Sequence, residues 1–162
     1  MTDILRFLLI IILLTVGLTA YFLVVGVLFT GRVEKTQRVI QQMSGRAVGV
    51  GLVNLLFFGV IAIVLFSIAN TASGLVSGIL IFPALLITAF LAVLLSIGLA
   101  GLANIMGEKL FSELSGLRQK IWGSVLLSLA CALPFVGWFL LFPYISFVAI
   151  GAVILGFFQR DS

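Results

Sequence analysis

The sequence predicts an all-α fold, a polytopic membrane bundle of four to five hydrophobic segments with broken or hairpin helices. Two observations carry that prediction. The nine Lys and Arg and the five Asp and Glu fall in short clusters, so that 7–31, 47–107 and 121–159 hold no Asp, Glu, Lys, Arg or His. Uncharged apolar runs longer than about 18 residues are what the hydrocarbon core of a bilayer demands. The composition agrees: 63% of 162 residues are hydrophobic and 9% charged, which leaves almost no material for an aqueous domain. One transmembrane domain over 1–162 is the expectation.

The first span covers about 5–30. Arg6 ahead of FLLIIILLTVGLTAYFLVVGVLF has the look of a signal peptide, but a cleavable apolar region is usually about 7–15 residues long, so a retained span is expected. At 1.5 Å per residue it measures about 38 Å and must tilt or protrude. The basic stretch RVEKTQRVIQQMSGR follows, with Val33, Val39, Ile40 and Met43 at near-helical spacing. It reads as an amphipathic helix lying on the membrane surface. A second span over 47–69 ends in the turn formers Asn70 to Gly74.

Residues 75–106 are too many for one perpendicular crossing. Pro83 suits the first turn of a helix, which predicts a helix from Pro83 to Met106 after an irregular or dipping segment at 75–82. The next charged segment, GEKLFSELSGLRQK, puts Leu110, Phe111, Leu114 and Leu117 on one helical face and predicts a second interfacial helix. The last uncharged run, 121–158, would reach about 57 Å as one helix, nearly twice the core. Length therefore favours a hairpin, with arms at 121–133 and 139–158 and a break at Pro134, Gly137 and Pro143, over a single crossing. Trp122, Trp138 and Tyr144 stand where interfacial aromatics belong, although plain packing would also place them there.

With both charged loops and the C-terminus cytoplasmic, eight basic residues lie inside and only Arg6 outside, which satisfies the positive-inside tendency and puts the N-terminus outside. Arg32, Lys35, Arg38, Arg46, Lys109, Arg118 and Lys120 are then expected to meet anionic lipid headgroups. That placement accounts for the net charge of +4 without nucleic acid.

Two stretches align in parallel, 44–106 and 115–158, with Ser44-Gly45-Arg46 against Ser115-Gly116-Leu117-Arg118 and Leu80-Ile81-Phe82-Pro83 against Leu140-Leu141-Phe142-Pro143. Both copies would begin on the same face. A parallel repeat and a coincidence of an apolar alphabet both account for this.

Ala84, Thr88, Ala92, Ser96, Ala100 and Asn104 recur every fourth residue. Small residues at that spacing let helix backbones approach closely, so the row is a candidate packing seam or partner interface, with packing inside the chain the favoured reading. Successive members drift about 40° around the helix, so one neighbour can follow only part of the row. Asn54 and Asn104 form a candidate intramembrane polar site, set against ordinary bonding to a backbone or hydroxyl partner.

What is missing narrows the function further. No His and a single Cys, Cys131, argue against haem, thiolate clusters and zinc, so no cofactor or metal is expected. Intramembrane carboxylates for a proton relay are missing, and no base shares a span with any Ser. Glu108, Lys109 and Glu113 read as the polar face of a helix, and an enzyme is not expected.

The basic residue Arg46 before Gly49 and Gly51, the Gly-Ile-Leu-Ile-Phe-Pro stretch at 78–83 and the Leu-Pro-Phe-Val-Gly-Trp turn at 133–138 resemble a family of small bacterial polytopic membrane domains of unknown function, some fused to bactofilin-type polymer-forming domains. The resemblance spans roughly 32–158 and implies a bacterial inner-membrane protein without assigned chemistry. This chain lacks the polymer-forming domain, so a filament role does not transfer. The sequence-level expectation is a non-enzymatic subunit or scaffold that packs against another membrane protein or itself. The alternative is a channel or uncoupled transporter for a neutral or apolar solute, built on the broken segments at 74–83 and 133–143.

Overall fold

The computed structural model describes residues 2–72, 74–132, 139 and 141–158. It is all-helical among them, with α1 Thr2–Leu28, α2 Thr30–Thr71, α3 Leu75–Leu110, α4 Gly116–Ala132 and α5 Phe142–Phe158. Three of these helices are long and apolar enough to cross a membrane: Leu8–Leu28 within α1, then α2 and α3.

Only Phe29 separates α1 from α2. Its N–H donates to the Val25 carbonyl at 2.9 Å, and its own carbonyl accepts from the N–H groups of Arg32 and Val33. Thr30 Oγ1 donates to the Gly26 and Val27 carbonyls at 3.0 and 2.9 Å. Carbonyls at the end of α1 thus find partners in the joint itself.

The basic stretch is no separate surface helix. It is the first part of α2, bent from the apolar part at Met43 (φ −140, ψ 41). Ser44-Gly45 follows directly, a pair that commonly marks a sharp kink. The apolar face foreseen for lipid packs on protein instead: Val33, Thr36, Val39 and Ile40 are buried, and Val39 and Ile40 cluster with Ile105, Val148 and Ala152.

α2 ends at Thr71 and α3 begins at Leu75, within the turn formers the sequence marks. Gly74 has φ 68, a backbone region where a Cβ is penalised. Ser77 Oγ donates to the Ala69 carbonyl at 2.9 Å, stapling the start of α3 to the end of α2. The expected irregular segment at 75–82 is regular helix, and Pro83 lies inside α3 instead of opening it or breaking it. Proline withholds one N–H, that due to the Ile79 carbonyl. The helix survives because it is held on both sides, by the Ser77 staple before and by Ala84, fully buried, after.

The second interfacial helix is not formed either. α3 runs on to Leu110, residues 111–115 turn, and Leu117 belongs to α4. Leu110 and Leu117 are both exposed, and Gln119 Nε2 closes the turn on the Phe111 carbonyl at 3.1 Å. Two helices, α4 and α5, lie close to the bounds expected for the arms of the final hairpin, but each packs on other helices instead of on the other. Pro143 is the second residue of α5. Pro134, Gly137 and Trp138 lie outside the described residues.

α4 packs chiefly on α3 and also against α1, whereas α5 packs most extensively against α2 and then on α3. The core gathers around residues 91–106 of α3, with Val25 and Phe22 from α1, Val33 to Leu55 from α2, Leu127 from α4 and 145–155 from α5. Beyond it, α2 and α3 continue as a two-helix limb, joined by the Phe58–Phe90 edge contact at 6.4 Å and the Ser77 staple.

Candidate functional site

Close backbone approaches build the helix seams. A Cβ on Gly51 would collide with the Phe147 carbonyl, and one on Gly151 with the Ala47 carbonyl, so α2 and α5 touch main chain to main chain. Gly98 meets Ala149 in the same way between α3 and α5, while Gly107 meets Gln119 and Gly123 meets Ala103 between α3 and α4. Gly101 faces Thr36, with 3.3 Å left between a built Cβ and Thr36 Cγ2. Sequence reading named the alanine row and undervalued these glycines. The only signal for them was their number, 17, which matches too many spacings to single any out.

The row of small residues divides as its drift demands. Ala84, Ala100 and Asn104 are buried within the chain. Ser96 is half-buried; its Oγ donates to the Ala92 carbonyl and so accepts from the Tyr21 hydroxyl of α1. Thr88 and Ala92 are exposed, and the Thr88 hydroxyl is satisfied by the Ala84 carbonyl at 2.8 Å.

The proposed amide pair does not form. Asn54 Nδ2 donates to the Val50 carbonyl of its own helix at 2.8 Å, whereas Asn104 is 8% exposed and has no side-chain hydrogen bond among the described residues. Two other polar groups were missed: Thr19 Oγ1 on α1 and Ser128 Oγ on α4 are buried without a partner. Neighbouring hydroxyls behave differently, since Thr15 donates to Ile11 and Ser124 to Lys120, each four residues back. Nothing in a sequence separates a hydroxyl that bonds backwards from one that does not.

The charged stretches 32–46 and 108–120 meet in the bundle. Gln37 Nε2 donates to Glu108 Oε1 at 3.3 Å, and Gly107 abuts Gln119. Arg32 lies over the Phe157 ring near the end of α5, 3.9 Å from its centroid. Arg38 shares a polar depression with Glu34 and Glu108. Arg46 reaches Met43 Sδ at 4.0 Å. Lys109 and Arg118 are exposed, and Lys35 and Lys120 half-buried. Trp122, 51% exposed, stacks at 5.8 Å on Phe111, and Tyr144 is 56% exposed.

No family model matches the chain, and neither a curated protein nor a solved structure is similar enough to count as a match.

Proposed function

We propose that this chain is a non-enzymatic integral membrane protein, a small subunit or scaffold that docks onto another membrane protein or a further copy of itself. The observation that carries the reading is the divided alanine row. Ala84 and Ala100 are used up inside the chain, while Thr88 and Ala92 present a small, hydrogen-bond-satisfied patch on the outside of α3. Such a patch lets another helix approach closely at little desolvation cost. Three long apolar helices are compatible with membrane residence. The meeting of the basic stretches 32–46 and 108–120 supports an orientation with those stretches cytoplasmic and the N-terminus outside, in a bacterial inner membrane. The channel alternative loses ground at 75–82, where regular helix replaces the irregular segment it would use.

The test is gentle extraction from native membranes, then size analysis and mass spectrometry of what travels with the chain. Thr88→Leu with Ala92→Leu should release the partner while shifting stability by less than about 0.5 kcal/mol, because both sites are exposed. A complex that survives this double variant would move the interface elsewhere. A lone monomer that conducts solute in liposomes would replace the reading with the channel.

A further inference from the structure

Where α2 meets the end of α3 lies a polar depression of about 270 Å3, lined by Glu34, Gln37, Arg38, Gln41 and Glu108. We propose that it binds the zwitterionic phosphoethanolamine headgroup of a membrane lipid, with the ammonium on Glu34, Gln37 and Glu108 and the phosphate on Arg38. The proposal rests on the membrane reading above and adds a specific lipid to it.

The set of acceptors is the first argument. Gln37 is 9% exposed and spends an amide N–H on Glu108 Oε1 at 3.3 Å, which leaves its carbonyl oxygen without a partner among the described residues. With the carboxylates of Glu34 and Glu108 it gives the wall three acceptor groups. A primary ammonium carries three N–H donors and can answer each of them. The cation left over is the second argument. Arg38 stands four residues after Glu34, the spacing of an ordinary ion pair on a helix. Among the described residues it pairs with neither Glu34 nor Glu108, so its guanidinium is open to two phosphate oxygens. A ligand of one sign would be repelled by part of this wall, whereas a zwitterion with a short link between its charges satisfies both parts.

Position decides in favour of a lipid over a soluble amine. Glu108 directly follows the charge-free run 47–107, and Arg38 lies between that run and 7–31. Headgroups begin where such runs stop. Residues 34, 37, 38 and 41 share one face of α2, turned away from the face on which Arg32 meets Phe157. The volume is just below the range of about 300–1,000 Å3 typical of small-ligand pockets, which admits a headgroup and leaves the acyl chains outside.

Native mass spectrometry of the purified full chain, loaded with phosphatidylethanolamine or with phosphatidylcholine of the same acyl chains, tests the site. Both lipids are zwitterions without net charge, and only the first has ammonium N–H donors. One phosphatidylethanolamine should be retained with a preference of about tenfold. Glu34→Gln, at an exposed carboxylate, should erase most of that preference, and Arg38→Gln should lower the retention about tenfold. Glu113→Gln, at an exposed carboxylate that does not line the depression, should change neither. Equal retention of the two lipids by the wild type, or equal losses in Glu34→Gln and Glu113→Gln, would overturn the site. Displacement of the lipid by an equal concentration of glycerophosphoethanolamine would overturn the lipid assignment. A protein that travels with the wild-type chain and is lost in Glu34→Gln, without any lipid preference, would give the depression to a partner's lysine instead. Alkaline washing of membranes checks the underlying reading separately: release of the chain fails the membrane reading, whereas a retained chain without lipid preference fails the site alone.

Discussion

The two ends of α3 sit in contrasting surroundings. From Leu94 to Gly107 it is enclosed by four other helices, and at Gly98, Gly101, Gly107 and the facing Gly123 the neighbours approach until a methyl group does not fit or only just fits. From Leu75 to Phe90 it has essentially one companion, α2, and Leu75, Ile79, Phe82, Leu85 and Leu86 are more than half exposed. Glycine does opposite things in the two settings. At the enclosed end it is the contact, whereas Gly59 and Gly78 on the limb have nothing within 4 Å of a built Cβ. Spacing motifs alone therefore do not locate a helix seam; the packing partner does.

Substitutions break or sharpen that contrast in a definite order. Gly51→Ala with Gly151→Ala should cost the most, about 3 kcal/mol or more, because backbone and not a flexible side chain must give way. A large fall in the thermal midpoint, followed through Trp122 fluorescence, is the expected record. Next comes Pro83→Ala, which returns an N–H to the Ile79 carbonyl and should stabilise by about 1 kcal/mol, the net worth of one hydrogen bond. Unchanged stability there would mean that the carbonyl is already satisfied. Ser128→Ala should raise the midpoint by a similar or smaller amount, since the hydroxyl it removes is buried and unpartnered; a fall would reveal a hidden partner such as a bound water. Least affected should be Gly59→Ala, within about 0.5 kcal/mol, as expected of a surface substitution. If it matched the Gly51 and Gly151 pair, the limb would be packed against something.

Much of this architecture was legible in the sequence. Charge-free runs marked the long helices, the Asn70 to Gly74 cluster marked the end of α2 and the start of α3, and excess length called for two helices, α4 and α5, in the last run. Misreadings occurred where tertiary packing overrode a local signal. The amphipathic pattern of 32–46 reports an apolar face and cannot say whether lipid or Ile105 and Val148 will cover it. Pro83 and Pro143 share a Leu-Phe-Pro or Ile-Phe-Pro context, yet one is swallowed by a helix anchored on both sides and the other opens a helix. That difference also sets the two proposed repeat units apart, since α2 and α3 pair along their limb while α4 packs mainly on α3 and α5 mainly on α2. At the site level the drift of the small-residue row was calculable in advance, but which members would meet a neighbour was not. The Arg32–Phe157 contact joins residues more than a hundred positions apart, and no local pattern announces it.

The brevity of α4 and α5, 17 residues each against 36 in α3, gives the molecule a taper. It is five helices broad around residues 91–106 and narrows to the paired limb of α2 and α3. Embedded in a bilayer, such a wedge displaces more area from one leaflet than from the other. Its insertion energy would then depend on curvature, favouring membrane that bulges toward the broad end.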